Sequence, residues 1–206
     1  MRRLFVSLLP VMLLAPTPAL ARQVTQISPL TLVAGQPVRI TGMDVAFAPQ
    51  IMEALAESDS KAARKRAEAG LPPLDGASYP TAGQSGDVYA TLPFKQMFPL
   101  VVRDVARDWK LDHGTPVILR VTLDRLKTAD AAMAIIVAWS SDMLEGTVDV
   151  VDAGSGASLG SFRVAVKNMH GGWGGMLIRG GGVREKLAEE FSLELARHIA
   201  GGKKPA

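Results

Sequence analysis

"MLEGTVDVVDAGSGASLGSFRVAVK", residues 143–167, decides the fold. It reads as two strands around the turn Asp152-Ala153-Gly154-Ser155-Gly156. In the second strand Phe162, Val164 and Val166 alternate with Ser161, Arg163 and Lys167. Alternation at a period of two, broken by a short Asp/Gly/Ser cluster, is the pattern of a hairpin with one buried and one solvated face. Upstream, "TPVILRVTLDRL" at residues 115–126 carries the same signal. Val117, Leu119, Val121 and Leu123 share one side, and Ile118, Arg120, Thr122 and Asp124 the other. Between these runs "AAMAIIVAW", Ala131 to Trp139, is apolar on both faces. It suits a central strand, although period alone does not separate such a run from a buried helix.

Downstream, "VREKLAEEFSLELARHIAGG" places Val183, Leu187, Phe191, Leu195 and Ile199 on one helical stripe, flanked by Ala188 and Ala196. Lys186–Glu190 and Glu194–His198 are spaced to pair one turn apart. Arg197 and His198 suit the negative end of the helix dipole, and Gly201 the stop. In the first half, "QPVRITGMDVAF" reads as extended, with Gly42 as a bulge position. A helix follows from Pro49 to Gly70, its apolar residues Ile51, Met52, Leu55 and Ala56 giving way after Ser58 to Lys61, Arg64, Lys65 and Arg66. That cluster reads as a solvated face, diluted by Glu57, Asp59 and Glu68, rather than a site for anionic lipid or an acidic partner. Residues 70–93 form a long Gly/Pro/Ser/Thr-rich loop. Then "FKQMFPLVVRDVARDWKL" gives a helix with Phe98, Val101, Val102, Val105 and Trp109 as its stripe and Pro99 inside the pattern.

This order predicts an α+β fold: an antiparallel β-meander of four or five strands with two or three helices packed on it. Residues 22–206 are expected to form a single domain.

Residues 1–21, "MRRLFVSLLPVMLLAPTPALA", have a basic start, an apolar stretch and a terminal Ala19-Leu20-Ala21. That is the build of a cleaved signal peptide, and three prolines argue against a retained span. Removing Arg2 and Arg3 leaves 21 basic residues against 20 acidic ones. With neither a basic stripe nor interleaved aromatics, nucleic acid is an unsuitable partner. The chain has no cysteine, which excludes thiol chemistry and acyl anchoring through cysteine. The expected location is periplasmic or secreted.

"NMHGGWGGMLIRGGGVREKL", residues 168–187, holds seven of the 20 glycines. As a slack connection it would tuck Trp173, Met176, Leu177 and Ile178 against the sheet's open end. As a contact surface it would present those four residues, with Arg179, to an envelope protein or a membrane surface. As an anion site it would use Arg179, Gly180, Gly181 and Gly182 at a helix start. The Gly-Lys-Ser/Thr ending of a nucleotide loop is missing, and no nucleotide or other cofactor is expected.

Catalytic and metal signals are equally thin. His113, His170 and His198 lack partners at metal-ligand spacing. Ser85 in "GQSGD" lacks the Gly-x-Ser-x-Gly elbow. Asp104 and Asp108 alternate with Arg103 and Arg107 as an ordinary charged face. No catalytic residue and no metal site is assigned.

The "VDVVDAGSGASLGSFRV" hairpin, the Gly-rich stretch and the terminal helix resemble the small α+β domains of curli-secretion channel subunits and of the N-terminal part of the Tol-system periplasmic protein. The resemblance spans about Phe94 to Ile199. It implies an envelope assembly or scaffold module without catalysis. This chain departs from those channel subunits in having no lipid-attachment cysteine. The expected function is therefore non-enzymatic binding of an envelope protein or membrane. The alternative is a small-ligand binder or enzyme using a cleft beneath residues 70–93, with Tyr79, Tyr89 and Arg103 as contacts.

Overall fold

The computed structural model describes residues 21–32, 36–74, 86–128, 141–169 and 182–202. Five strands make the sheet: β1 (Ala21–Ser28), β2 (Val38–Phe47), β3 (Thr115–Lys127), β4 (Ser141–Asp152) and β5 (Ser158–Met169). They lie in the order β1-β5-β4-β3-β2. The helices are α1 (Met52–Glu68), entered through a 3-10 turn at Pro49–Ile51, the four-residue α2 (Gly86–Tyr89), α3 (Phe94–Asp108) and α4 (Val183–Ile199).

The sheet is mixed, which corrects the expectation of a purely antiparallel meander. β2 runs parallel to β3, from Val38↔Thr115 to Phe47↔Leu123. The cause is the connection: a parallel neighbour needs a crossover, and the chain from α1 to α3 supplies one. β3–β4, β4–β5 and β1–β5 are antiparallel. The expected irregularity at Gly42 is present as a register shift between Ile40 and Gly42. In α3 the helix runs from Phe94 straight through Pro99. Residues 131–139 and most of the Gly-rich stretch lie outside the described residues.

One face of the sheet carries the core. Val117, Leu119, Val121 and Leu123 of β3, Leu144, Val148 and Val150 of β4, and Phe162, Val164 and Val166 of β5 are all buried. Over them lie Phe98, Val102 and Val105 of α3 and Leu187, Ala188, Phe191, Leu195 and Ala196 of α4. Phe98 meets Phe191 edge-on at 5.4 Å, joining the two helices through their aromatic stripes. The other face is polar, as alternation requires of strands covered on one side. At its centre Arg163 forks onto Asp124 at 2.6 and 2.8 Å and reaches Glu145 at 2.7 Å, tying β3, β4 and β5 together. Asp124, then Glu145, hold the Arg163 guanidinium even more firmly protonated than usual.

The hairpin turn closes as its residues dictate. Asp152 Oδ1 accepts from the amides of Gly154 and Ser155 and from the Ser155 hydroxyl. These bonds, led by the hydroxyl, hold its carboxyl below the ordinary range. Gly156 takes the left-handed conformation at φ +73°.

Candidate functional site

The register brings several chain connections to one end of the sheet. β3 ends at Lys127, which pairs with Met143 near the start of β4. β4 starts at Ser141, which pairs with Met169, the end of β5. β1 begins at the same level, with Ala21 against Lys167. The connection 128–140 therefore leaves and returns at this end, the Gly-rich connection leaves from it, and residues 1–20 precede β1 there. On the polar face of this end Lys127 and Lys167 flank Met143 on one cross-strand row. Trp173, Met176, Leu177, Ile178, Arg179, Gly180 and Gly181 lie outside the described residues, as do Tyr79 and His170.

Gly182 is described. It stands at the N-terminal boundary of α4 at φ +94°, where a Cβ would collide with the Glu185 carboxylate. The next residues form a hub that the sequence did not reveal. Arg184 is 8% exposed and donates to the backbone carbonyls of Tyr89 at 3.0 Å, Ala90 at 3.3 Å and Leu92. It also reaches the Ser58 hydroxyl at 3.3 Å and pairs with Glu185 at 2.5 Å. One guanidinium thus clamps α1, the turn after α2 and the start of α4. Beside it Asp59 Oδ1 accepts from the Phe94 amide at 2.7 Å, capping the start of α3.

The far end of α4 departs from its expected pairing. Lys186 pairs with Glu190 at 3.5 Å, as the spacing requires. Glu194 pairs instead with Arg197 at 2.8 Å and with Arg22 of β1 at 3.6 Å. His198 turns to Gln26 Oε1 at 2.8 Å and packs on the Phe162 ring at 4.4 Å. Burial holds its imidazole below the ordinary histidine range. The basic run of α1 is solvated: Lys61, Arg64 and Lys65 are exposed, and Lys61 pairs with Glu57.

Of the contacts expected for the ligand-cleft alternative, Tyr89 and Arg103 are among the described residues. Tyr89 is buried, and its hydroxyl donates to Asp104. Arg103 is exposed on α3, where it lines a groove with Ile40–Met43 of β2. His113 is exposed beside Asp112 and, through its hydrogen bond, lowers the Asp112 carboxyl's affinity for protons. Among the described residues no three His, Cys, Asp or Glu side chains gather as metal ligands. Nor, among them, is any helix long and apolar enough to cross a membrane.

Neither a family model nor a curated protein matches the chain. Among solved structures it is similar to the PelC dodecamer of Paraburkholderia phytofirmans, with a TM-score of 0.30 and 11% identity over 84% of this chain and 98% of that one. It is also similar to protein XCC0632 from Xanthomonas campestris, with a TM-score of 0.45 and 13% identity over 86% of this chain and 93% of that one. Likeness of this degree carries no statement about assembly, partner or activity.

Proposed function

We propose that this chain is a non-catalytic, exported module of the cell envelope that docks on a membrane surface through the Lys127/Ser141/Met169 end of its sheet. The observation that carries this reading is that the strand ends bounding two apolar connections lie together at that end. The uncharged run Ala131–Trp139 and the segment Trp173–Ile178 both attach there. Each brings one tryptophan, and Lys127, Lys167 and Arg179 supply positive charge beside them. Tryptophan at the headgroup level with flanking Lys and Arg is the composition of an interfacial docking surface. The leader supports export, and its removal after Ala21 would cost β1 only its terminal Ala21↔Lys167 rung.

Flotation of the mature protein with vesicles containing anionic phospholipid tests the reading. Wild type is expected to float, and a variant with Trp173, Met176, Leu177 and Ile178 all changed to Ser should stay at the bottom with an unchanged melting temperature. Failure of wild type to float, with crosslinks from the same end capturing an envelope protein, would make the partner a protein. Loss of stability in the Ser variant would assign the four residues to capping the sheet.

A further inference from the structure

Away from that end, near the start of the parallel pair, β2 and α3 enclose a groove of about 280 Å³. Its apolar walls include Ile40 and Met43 of β2 and Pro99, Val102 and Ala106 of α3, with Leu111 closing one end. We propose that this groove docks an extended peptide segment of a partner protein, which adds antiparallel to β2 as a sixth strand and places an acidic side chain on Arg103.

Among the described residues, nothing pairs with the outer edge of β2 beyond Ile40. Ala48 N donates to Leu123 O of β3, so alternation turns the amides of Ala46 and Asp44 toward β3 and those of Met43, Val45 and Phe47 away from it. Among the described residues those three outward amides have no backbone partner. An exposed row of this kind is a template for another strand unless charge, proline or a bulge blocks it. The bulge lies before Met43 and leaves the following rungs clear.

The fold itself already begins that sixth strand. Arg39 and Asp112 form an isolated antiparallel bridge, and Ile40 N donates to Leu111 O at 3.0 Å. Lys110 then adopts φ +53° and turns the chain off the edge, so the pairing stops after one rung. An incoming segment continues this ladder in the same sense, with alternate side chains entering the apolar groove.

Charge selects its composition. Arg107 is engaged by Asp104 at 3.3 Å, and Asp112 by His113 at 3.0 Å. Arg103 faces the groove and has no ion pair among the described residues. A glutamate or aspartate on the incoming strand offers it a charge-assisted, bidentate partner.

A phage-displayed library of random dodecapeptides, selected on the full mature protein, tests the proposal. Enrichment of peptides alternating apolar residues with at least one acid is expected. Their affinity, measured by fluorescence anisotropy, should fall at least about tenfold in Arg103→Glu, the loss expected for one charged hydrogen bond. Val45→Pro should give a similar fall, since it removes one outward amide and leaves the β3 ladder in place. Thr25→Pro on the opposite edge should leave affinity unchanged. Failure to enrich such peptides, or binding that survives both β2-side substitutions while their melting temperatures stay native, would overturn the proposal. None of these outcomes depends on vesicle binding by the other end.

Discussion

Arg184 shows what one side chain can hold together. Truncating it to Ala strips the carbonyls of Tyr89, Ala90 and Leu92 of a donor and leaves Glu185 without its partner. Removing one member of a buried charged network costs about 3–5 kcal/mol, which should appear as a lowered denaturant midpoint with an unchanged slope. Arg22→Ala is the instructive contrast. Its partners Glu190 and Glu194 are buried, yet each keeps a second cation, Lys186 at 3.5 Å and Arg197 at 2.8 Å. The expected cost is therefore smaller, about 1–2 kcal/mol. A larger loss for Arg22→Ala than for Arg184→Ala would reverse this ordering of the two networks. His198 makes a prediction in pH. Its native imidazole binds protons less readily than the unfolded one, so the unfolded state takes up more protons as pH falls below the ordinary histidine value. Stability should decline through that window and level off once the native ring is also protonated. His198→Gln should flatten the decline in a melting series from about pH 7.5 to about pH 5, the range in which histidine titrates. These contacts were hard to read from sequence because each joins residues far apart in the chain. Asp59 looked like dilution of a basic face and instead caps α3 from a neighbouring helix. Glu194 and His198, correctly spaced for each other, found other partners: Arg197 and Arg22 for the glutamate, Gln26 of β1 for the histidine.

At the scale of elements, strands and helices with a strong period were legible. β3, the β4–β5 hairpin, α3 and α4 follow directly from alternation, turn chemistry and helical stripes, because the face that each buries is written in consecutive residues. In α1 the stripe faded in the sequence after Ser58, but the buried face continues through Ser58 and Ala62. Small residues there let the helix sit close, a contact that hydrophobicity alone does not mark. Pairing direction was less legible. β2 carries no local sign that it lies parallel to β3, since direction is set by the crossover rather than by the strand's own residues. The same element supplies a test of the edge. Because Val45 points its amide outward, Val45→Pro should shift stability far less than a proline at Asp44, whose amide faces β3. Equal losses measured by thermal melts would show that the outward face of β2 is not free.

The whole molecule is polarised. One face of the sheet holds the helices and core, the other holds the Arg163 network, and one end holds the strand ends Lys127, Ser141 and Met169. The sequence announced the apolar segments but not that the strands bounding them end at one level, which depends on register across three strands. Tryptophan positions make the central claim directly measurable. Trp109 is buried at 7% exposure, far from the proposed contact, while Trp139 and Trp173 lie in the two connections attached to it. Three variants, each retaining one tryptophan and carrying Phe at the other two positions, would be mixed with vesicles whose acyl chains bear bromine. Membrane docking through this end predicts quenching and a blue shift for Trp139 and Trp173, with Trp109 unchanged. Quenching of none of the three, or of Trp109 alone, would contradict it.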